Sequence, residues 1–299
     1  MAQFSSFFRS FLPFLLLFCA AAPVMSQTFT EGGTVPLDRG AFLYILTDVN
    51  RMRPVIDILP IRELKNWQAL LVLDRTDTAA TALYNRASGR HFQLAGWGNY
   101  PSFTASIALF LHRNWKLIHA NTGSYWFSDV DRLSVRIASR QIYALAWRTE
   151  RASPVPLTAN AQIPEGFINF RNRGGASAPL SLWMENPASM LNMMFLMERI
   201  RLRFTSEKLY LNLYPDENNL YKADLRLLFE NHTQAREFTE NLYSINYIPS
   251  NESNLVVKKL FFATNPVLSN RTLDFYSDSL SESEIIFLLN FFLSYWRFS

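Results

Sequence analysis

Cysteine is almost missing from this chain: Cys19 stands alone in 299 residues. A disulfide framework is thereby excluded, and so is a thiolate metal centre, which needs several ligands at fixed spacing. Histidine is scarce as well. His91, His112, His119 and His232 form no His-Glu-x-x-His pair, so no metal is expected. Neither a Gly-x-Ser-x-Gly nucleophile turn nor a phosphate loop with its lysine occurs, and no cofactor is expected. Charge is sparse at 18%, while hydrophobic residues reach 49%, the reverse of a disordered composition. Nor is there an apolar run of the ~20 residues that span a bilayer.

What is present begins with a leader. Residues 1–26 hold one cation, Arg9, and no acid, followed by an apolar core from Phe11 to Ala22 and small residues up to Ser26. A basic start, a short apolar core and a small-residue exit describe a cleaved secretory signal. Cleavage after Ser26 leaves residues 27–299 and removes Cys19. Lipidation of Cys19 is the alternative, and bulky Phe18 before it counts against that reading. An exported chain without cysteine suits a bacterial envelope, periplasmic or at the cell surface, better than an animal extracellular space. Three glycosylation sequons, at Asn231, Asn251 and Asn270, are as many as chance supplies at this composition.

The formal charge of +4 is mostly arginine, 23 of 29 cations. The densest group is Arg199-Ile-Arg201-Leu-Arg203, whose alternation fits the wet face of a half-buried strand. An exported protein seldom meets nucleic acid, and none is expected as a partner. Aromatic residues are plentiful at 15%, with 25 Phe. Most serve as core filling. The remainder can form a stacking surface for a glycan or a docking patch for an envelope protein, with Trp97, Tyr100 and Trp126 as candidates.

Two blocks flank a connector at residues 149–165, where three prolines interrupt a sequence of small residues. The first block, residues 27–148, opens with the strand pattern AFLYILTDV. A helix started by Pro54 is expected next, then a buried strand QALLVLD, and then a helix capped by Thr76 that carries Ala79, Leu83 and Tyr84. HFQLAGW alternates as a strand. A helix from Pro101 places Phe103, Ile107, Phe110 and Leu111 on one stripe, and the late strands WKLIHA, LSVRIA and QIYALAW close the block. The second block, residues 166–299, runs through the strand APLSLWM, a helix from Pro187, the strands RIRLRFT, KLYLNLY and LYKADLRLLFE, and a helix from Thr233. It ends in a helix with the capping box Ser281-Glu-Ser-Glu284; that helix is short for a bilayer span.

Strands and helices in this order give an α+β fold with two mixed, largely antiparallel sheet layers packed with helices. Two pairs of segments suggest a duplicated unit. LLVLDRTDTAATALY pairs with LRLLFENHTQAREF, and LYILTDVNRMRPVIDIL pairs with LSLWMENPASMLNMM. The stretches FQLAGWGNYP and LRLLFENHTQAREF resemble those of uncharacterised exported bacterial proteins with a signal peptide and paired α+β units. The resemblance implies fold and compartment and carries no activity.

GWGNYPS, residues 96–102, is the nearest thing to a ligand motif. A dinucleotide fingerprint needs a third glycine where Pro101 stands, so a tight turn before a helix is expected. Asp129 with Asp131 and Glu282 with Glu284 lie in turn or cap sequence, where acids favour helix starts. These observations support an exported non-catalytic binding or structural protein of the envelope, with peripheral membrane attachment still open. The alternative is a hydrolase whose acids, such as Asp48 and Asp74, come from separate strands.

Overall fold

The computed structural model describes residues 29, 34–35, 37–58, 72–86, 89–120, 123–130, 132–138, 140–147, 161–173, 177–197, 199–216, 220–245 and 255–298. The leader with Cys19, most of the proline-containing connector, and Asp131 lie outside them. In the first block come β1 (Thr34–Val35), β2 (Leu43–Asp48), α1 (Val49–Ile58), β3 (Thr76–Arg86), β4 (Gly89–Gly98) and α2 (Ser102–Leu111). The short strands β5 (Lys116–Ala120), β6 (Gly123–Ser128), β7 (Leu133–Ile137) and β8 (Gln141–Trp147) complete it. After β9 (Ala161–Gln162) follow α3 (Phe167–Arg171), β10 (Leu180–Glu185), α4 (Ala188–Met197), β11 (Lys208–Pro215), β12 (Leu220–Leu228) and α5 (His232–Tyr243). The chain ends with α6 (Leu255–Val257, continued as a π-turn over Lys258–Phe262), β13 (Val267–Ser269), β14 (Thr272–Ser281) and α7 (Glu282–Phe298).

The α+β class and antiparallel pairing expected from the sequence are what the structure shows. The sheets of the two blocks, expected as two layers, are joined edge to edge. Twelve strands form one sheet in the order β13-β14-β12-β11-β10-β2-β3-β4-β8-β7-β6-β5, and β1 with β9 makes a separate pair. The seam is β2 against β10, in register from Leu43 opposite Met184 to Thr47 opposite Leu180. Outward from that seam the order repeats. On one side run β2, β3, β4, β8 and β7; on the other, β10, β11, β12, β14 and β13. The segments LYILTDVNRMRPVIDIL and LSLWMENPASMLNMM occupy equivalent places, β2–α1 and β10–α4. The other pair does not. Asp74 leads into strand β3, whereas Glu230 leads into helix α5.

Alternating side chains give the sheet two buried faces. Leu43, Leu182, Leu211, Leu225 and Phe275 point to one, beneath helices α1, α4, α5, α6 and α7. Their neighbours Tyr44, Trp183 and Tyr210 point to the other, against Phe167, Ile168 and Phe170 of α3. This is the period-2 rule of a strand covered on both sides. The helical face is a phenylalanine core. The Phe195 ring meets Phe204 at 4.6 Å and Phe261 at 5.0 Å, both edge-on, and Phe204 meets Phe238 at 4.8 Å. Edge-on pairs of this kind add ~0.5–1.5 kcal/mol each beyond the area they bury.

Several local expectations are corrected. TDTAATALY is strand β3, not a Thr76-capped helix. Its alanines lie in register beside large neighbours, Ala82 beside Tyr44 and Ala80 beside Leu46, and strand pairing on both sides outweighs alanine's helix preference. Val72 and Leu73, read as strand, are helical. α1 starts at Val49 and keeps Pro54 inside, because Asp48 Oδ1 accepts the Arg51 amide at 3.1 Å and opens the helix earlier. Arg199 to Thr205 alternates in burial as expected, with Ile200, Leu202 and Phe204 inside, yet it joins no sheet. The Ser281 capping box is present: the Ser281 amide donates to Glu284 Oε2 at 2.7 Å and the Glu284 amide to Ser281 Oγ at 3.4 Å.

Candidate contact surface at helix α2

The approach to α2 is set by the end of β4. Both Gly96 and Gly98 belong to that strand and not to a turn, and each is needed for close approach. A Cβ on Gly96 would come within 2.7 Å of Tyr100 Oη and 2.9 Å of Ile142 Cγ2, and one on Gly98 would overlap the Arg75 carbonyl. The Gly98 amide donates to Arg140 O at 3.1 Å and the Asn99 amide to Arg75 O at 2.9 Å. With both amides taken inside the protein, this loop offers no phosphate cradle of the kind found at helix N-termini.

Tyr100 then turns inward. It is 4% exposed, and its hydroxyl lies 2.9 Å from Thr76 Oγ1, which itself donates to Val72 O at 2.7 Å. Tyr100 is therefore the donor of that pair. Burial pushes its pKa up to about 12, and the Asp77 charge adds to the rise. Burial likewise raises Tyr125 and Tyr143.

α2 itself reads SFTASIALFL, ten residues without a charge. It rests on β5 and β7, and none of its residues is buried. Phe103 is 78% exposed, Phe110 73% and Leu111 66%. The stripe at 103, 107, 110 and 111 is real, but most of it faces out instead of into the core. Beside it, β5 is the last strand of the sheet, with Lys116, Leu117 and His119 exposed. Its outer edge has no strand partner in that order. Periodicity marks an apolar stripe but not its direction. The usable signal was the absence of any charged residue to form a wet face.

The ring candidates are placed otherwise. Trp97, Tyr100 and Trp126 are all buried, and none offers a face for stacking. Trp97 meets Phe29 edge-on at 5.6 Å. Trp126 lies in β6, opposite Leu117 of β5 and Val135 of β7. The candidate acids are engaged: Asp48 holds the start of α1, and Asp74 Oδ1 pairs with Arg53 Nη2 at 2.7 Å. Glu284 Oε2 also takes Lys259 Nζ at 2.8 Å. Among the described residues, no group of three or more His, Cys, Asp or Glu could hold a metal ion. Among them too, no helix is long and apolar enough to cross a membrane.

No family model matches the chain, and no curated protein sequence does. Solved structures of TP0453 are similar to it. Crystal form I gives a TM-score of 0.60 at 14% identity, covering 88% of this chain and 98% of that one. Form III gives 0.61 at 16%, with the same coverage, and form IV 0.59 at 17%, covering 88% and 97%. At such identity the likeness concerns the fold alone.

Proposed function

We propose that the chain is an exported, non-catalytic binding protein of the bacterial envelope, and that α2 with the adjoining edge of β5 holds a partner protein. One observation carries this reading: a charge-free helix whose Phe103, Phe110 and Leu111 stand in water. Monomeric proteins rarely leave such groups together unless another surface covers them. Covering these side chains would contribute ~1.5–3 kcal/mol each. The open edge of β5 adds backbone donors and acceptors that an extended segment can join. A glycan partner is less well supported, because the rings that would stack on sugar are sealed in the fold. The engagement of Asp48 and Asp74 with Arg51 and Arg53 favours a binding role over the hydrolase.

Export rests on the leader, and mass spectrometry of the mature N-terminus tests it. Gln27 as first residue agrees with the reading; an acylated Cys19 replaces it with the anchored form. For the surface, a photo-crosslinking residue at 103 or 110 in the native cells should give a discrete protein adduct. The same residue at exposed Glu237 on α5 should not. Adducts to lipid only, or none at either position, contradict the reading.

A further inference from the structure

A second surface lies in the second half of the chain, where α4 gives way to residues 199–206. The chain leaves the helix through Arg199, whose φ of 58° is left-handed. The Arg199 amide donates to Leu196 O and the Ile200 amide to Phe195 O, both at 2.9 Å, the pair of bonds that usually closes a helix on glycine. An arginine there carries backbone strain that glycine avoids, and its side chain is exposed. From Ile200 onward burial alternates strictly. Ile200, Leu202, Phe204 and Ser206 are inside, while Arg201, Arg203 and Thr205 are outside. That is the period of an extended strand, and it repeats Arg201 and Arg203 on one face at about 6.7 Å, with Arg199 at the entrance.

This strand has no ladder. Asn192 of α4 holds one edge: its Oδ1 accepts the Phe204 amide at 2.7 Å, and its Nδ2 donates to the Phe204 carbonyl at 3.4 Å. Backbone groups of successive residues in an extended chain point to opposite edges, so those of Arg201, Arg203 and Thr205 line the edge turned away from Asn192. Among the described residues, the N–H and C=O of all three make no hydrogen bond. Nor, among the described residues, does Arg199, Arg201 or Arg203 pair with a carboxylate, whereas Arg53, Arg173, Arg226 and Arg236 each do. Just before the row, α4 exposes Leu196 at 71% and Met197 at 62%. An unfilled edge, a regular row of cations and an apolar shoulder thus meet on one stretch of chain. Open edges are templates for an added strand. A phosphate polymer or an anionic lipid would use the arginines and leave the backbone idle, whereas an extended peptide uses both. In a ladder, directly opposite side chains share a face with Cβ atoms ~4.5–5.5 Å apart. A segment with an acid at every second position therefore sets each carboxylate against one guanidinium, whose fork matches it.

We propose that residues 199–205 form a docking edge for an extended acidic segment of a partner protein, which adds as a strand along Arg201, Arg203 and Thr205 and sets alternate carboxylates against Arg199, Arg201 and Arg203. The site is independent of α2. It is tested by titrating the purified chain, by fluorescence anisotropy, with a labelled eight-residue peptide in which glutamate alternates with valine. Comparison peptides carry the same residues with the glutamates in one block, glutamine in place of glutamate, or N-methyl groups on one or the other alternate set of amides. Saturable binding of the alternating peptide is expected, at least fivefold tighter than the blocked one, with none of the glutamine version. Methylating one set of amides should abolish binding, and methylating the other should leave it intact. Arg201→Gln combined with Arg203→Gln should weaken binding at least tenfold at an unchanged melting temperature, because both side chains are exposed. Equal binding of the alternating and blocked peptides, or wild-type binding in the double variant, overturns the proposal. With no peptide bound, arginine-dependent capture of phosphatidylglycerol vesicles assigns the row to a lipid surface and overturns it as well. If the double variant does not fold, equal binding of the two methylated peptides overturns it equally.

Discussion

The two halves of the sheet follow one strand order and are finished differently. Beyond β12, α5 lays Ala235, Phe238 and Leu242 into the phenylalanine core. Beyond β4, at the corresponding place, α2 buries nothing. Backbone pairing preserves the strand order in both, since every ladder partner is supplied by a neighbouring strand whatever the side chains. Helix faces are under no such constraint. In the second half α4, α5, α6 and α7 together cover the sheet; in the first, β5 to β8 continue the sheet past α2 and leave it on the outside. Helix packing onto the core is concentrated in the second half, and in the first α2 leaves Phe103, Phe110 and Leu111 exposed.

This contrast can be broken at several points. The largest effect belongs to Phe195, fully enclosed between Phe204 and Phe261. Phe195→Ala should cost ~3–5 kcal/mol in urea unfolding, a large share of a domain's net stability. A cost below about 1 kcal/mol would mean that the second half is not the stabilising one. Next comes Gly98→Ala, whose methyl would overlap the Arg75 carbonyl. A loss of ~1–3 kcal/mol is expected from such overpacking, and a neutral outcome would show that the β3–β4 end can relax.

Tyr100→Phe is smaller, about 1 kcal/mol at neutral pH for one buried hydrogen bond. Its pH dependence sharpens the test. The folded-state pKa, about 12, exceeds the ordinary value near 10, so the native state holds this proton more tightly than the unfolded chain. That stability is fully present below about pH 10 and is lost as the pH rises towards 12. The gap between wild type and Tyr100→Phe should therefore narrow on the alkaline side, and a constant gap would place the hydroxyl in water. Smallest of all, Phe110→Ser should change stability by under about 0.5 kcal/mol, as exposed substitutions do, while increasing solubility.

Much of the fold was legible in the sequence. β10, β11 and β12 announce themselves by leucines and aromatics alternating with polar residues, and the Ser281 capping box marks its helix start. β3 was not legible, because Thr-Ala-rich TDTAATALY satisfies helix propensity locally and only Tyr44 and Leu46 alongside explain its alanines. The stripe of α2 was visible and its direction was not. A core stripe and a surface stripe have one spacing, and the choice depends on which helices cover the sheet. The burial of Arg171 could not have been found in FINFRNR, since it depends on Phe29 and Asp48, far away in the chain.

The central contrast is tested most directly by hydrogen exchange of the purified chain, comparing amides of residues 102–111 with those of residues 232–243. With α5 anchored in the core and α2 bare, α5 should be protected at least a hundredfold more than α2. Equal protection in the two helices would contradict the account, because it would mean that α2 is held by the fold as firmly as its counterpart.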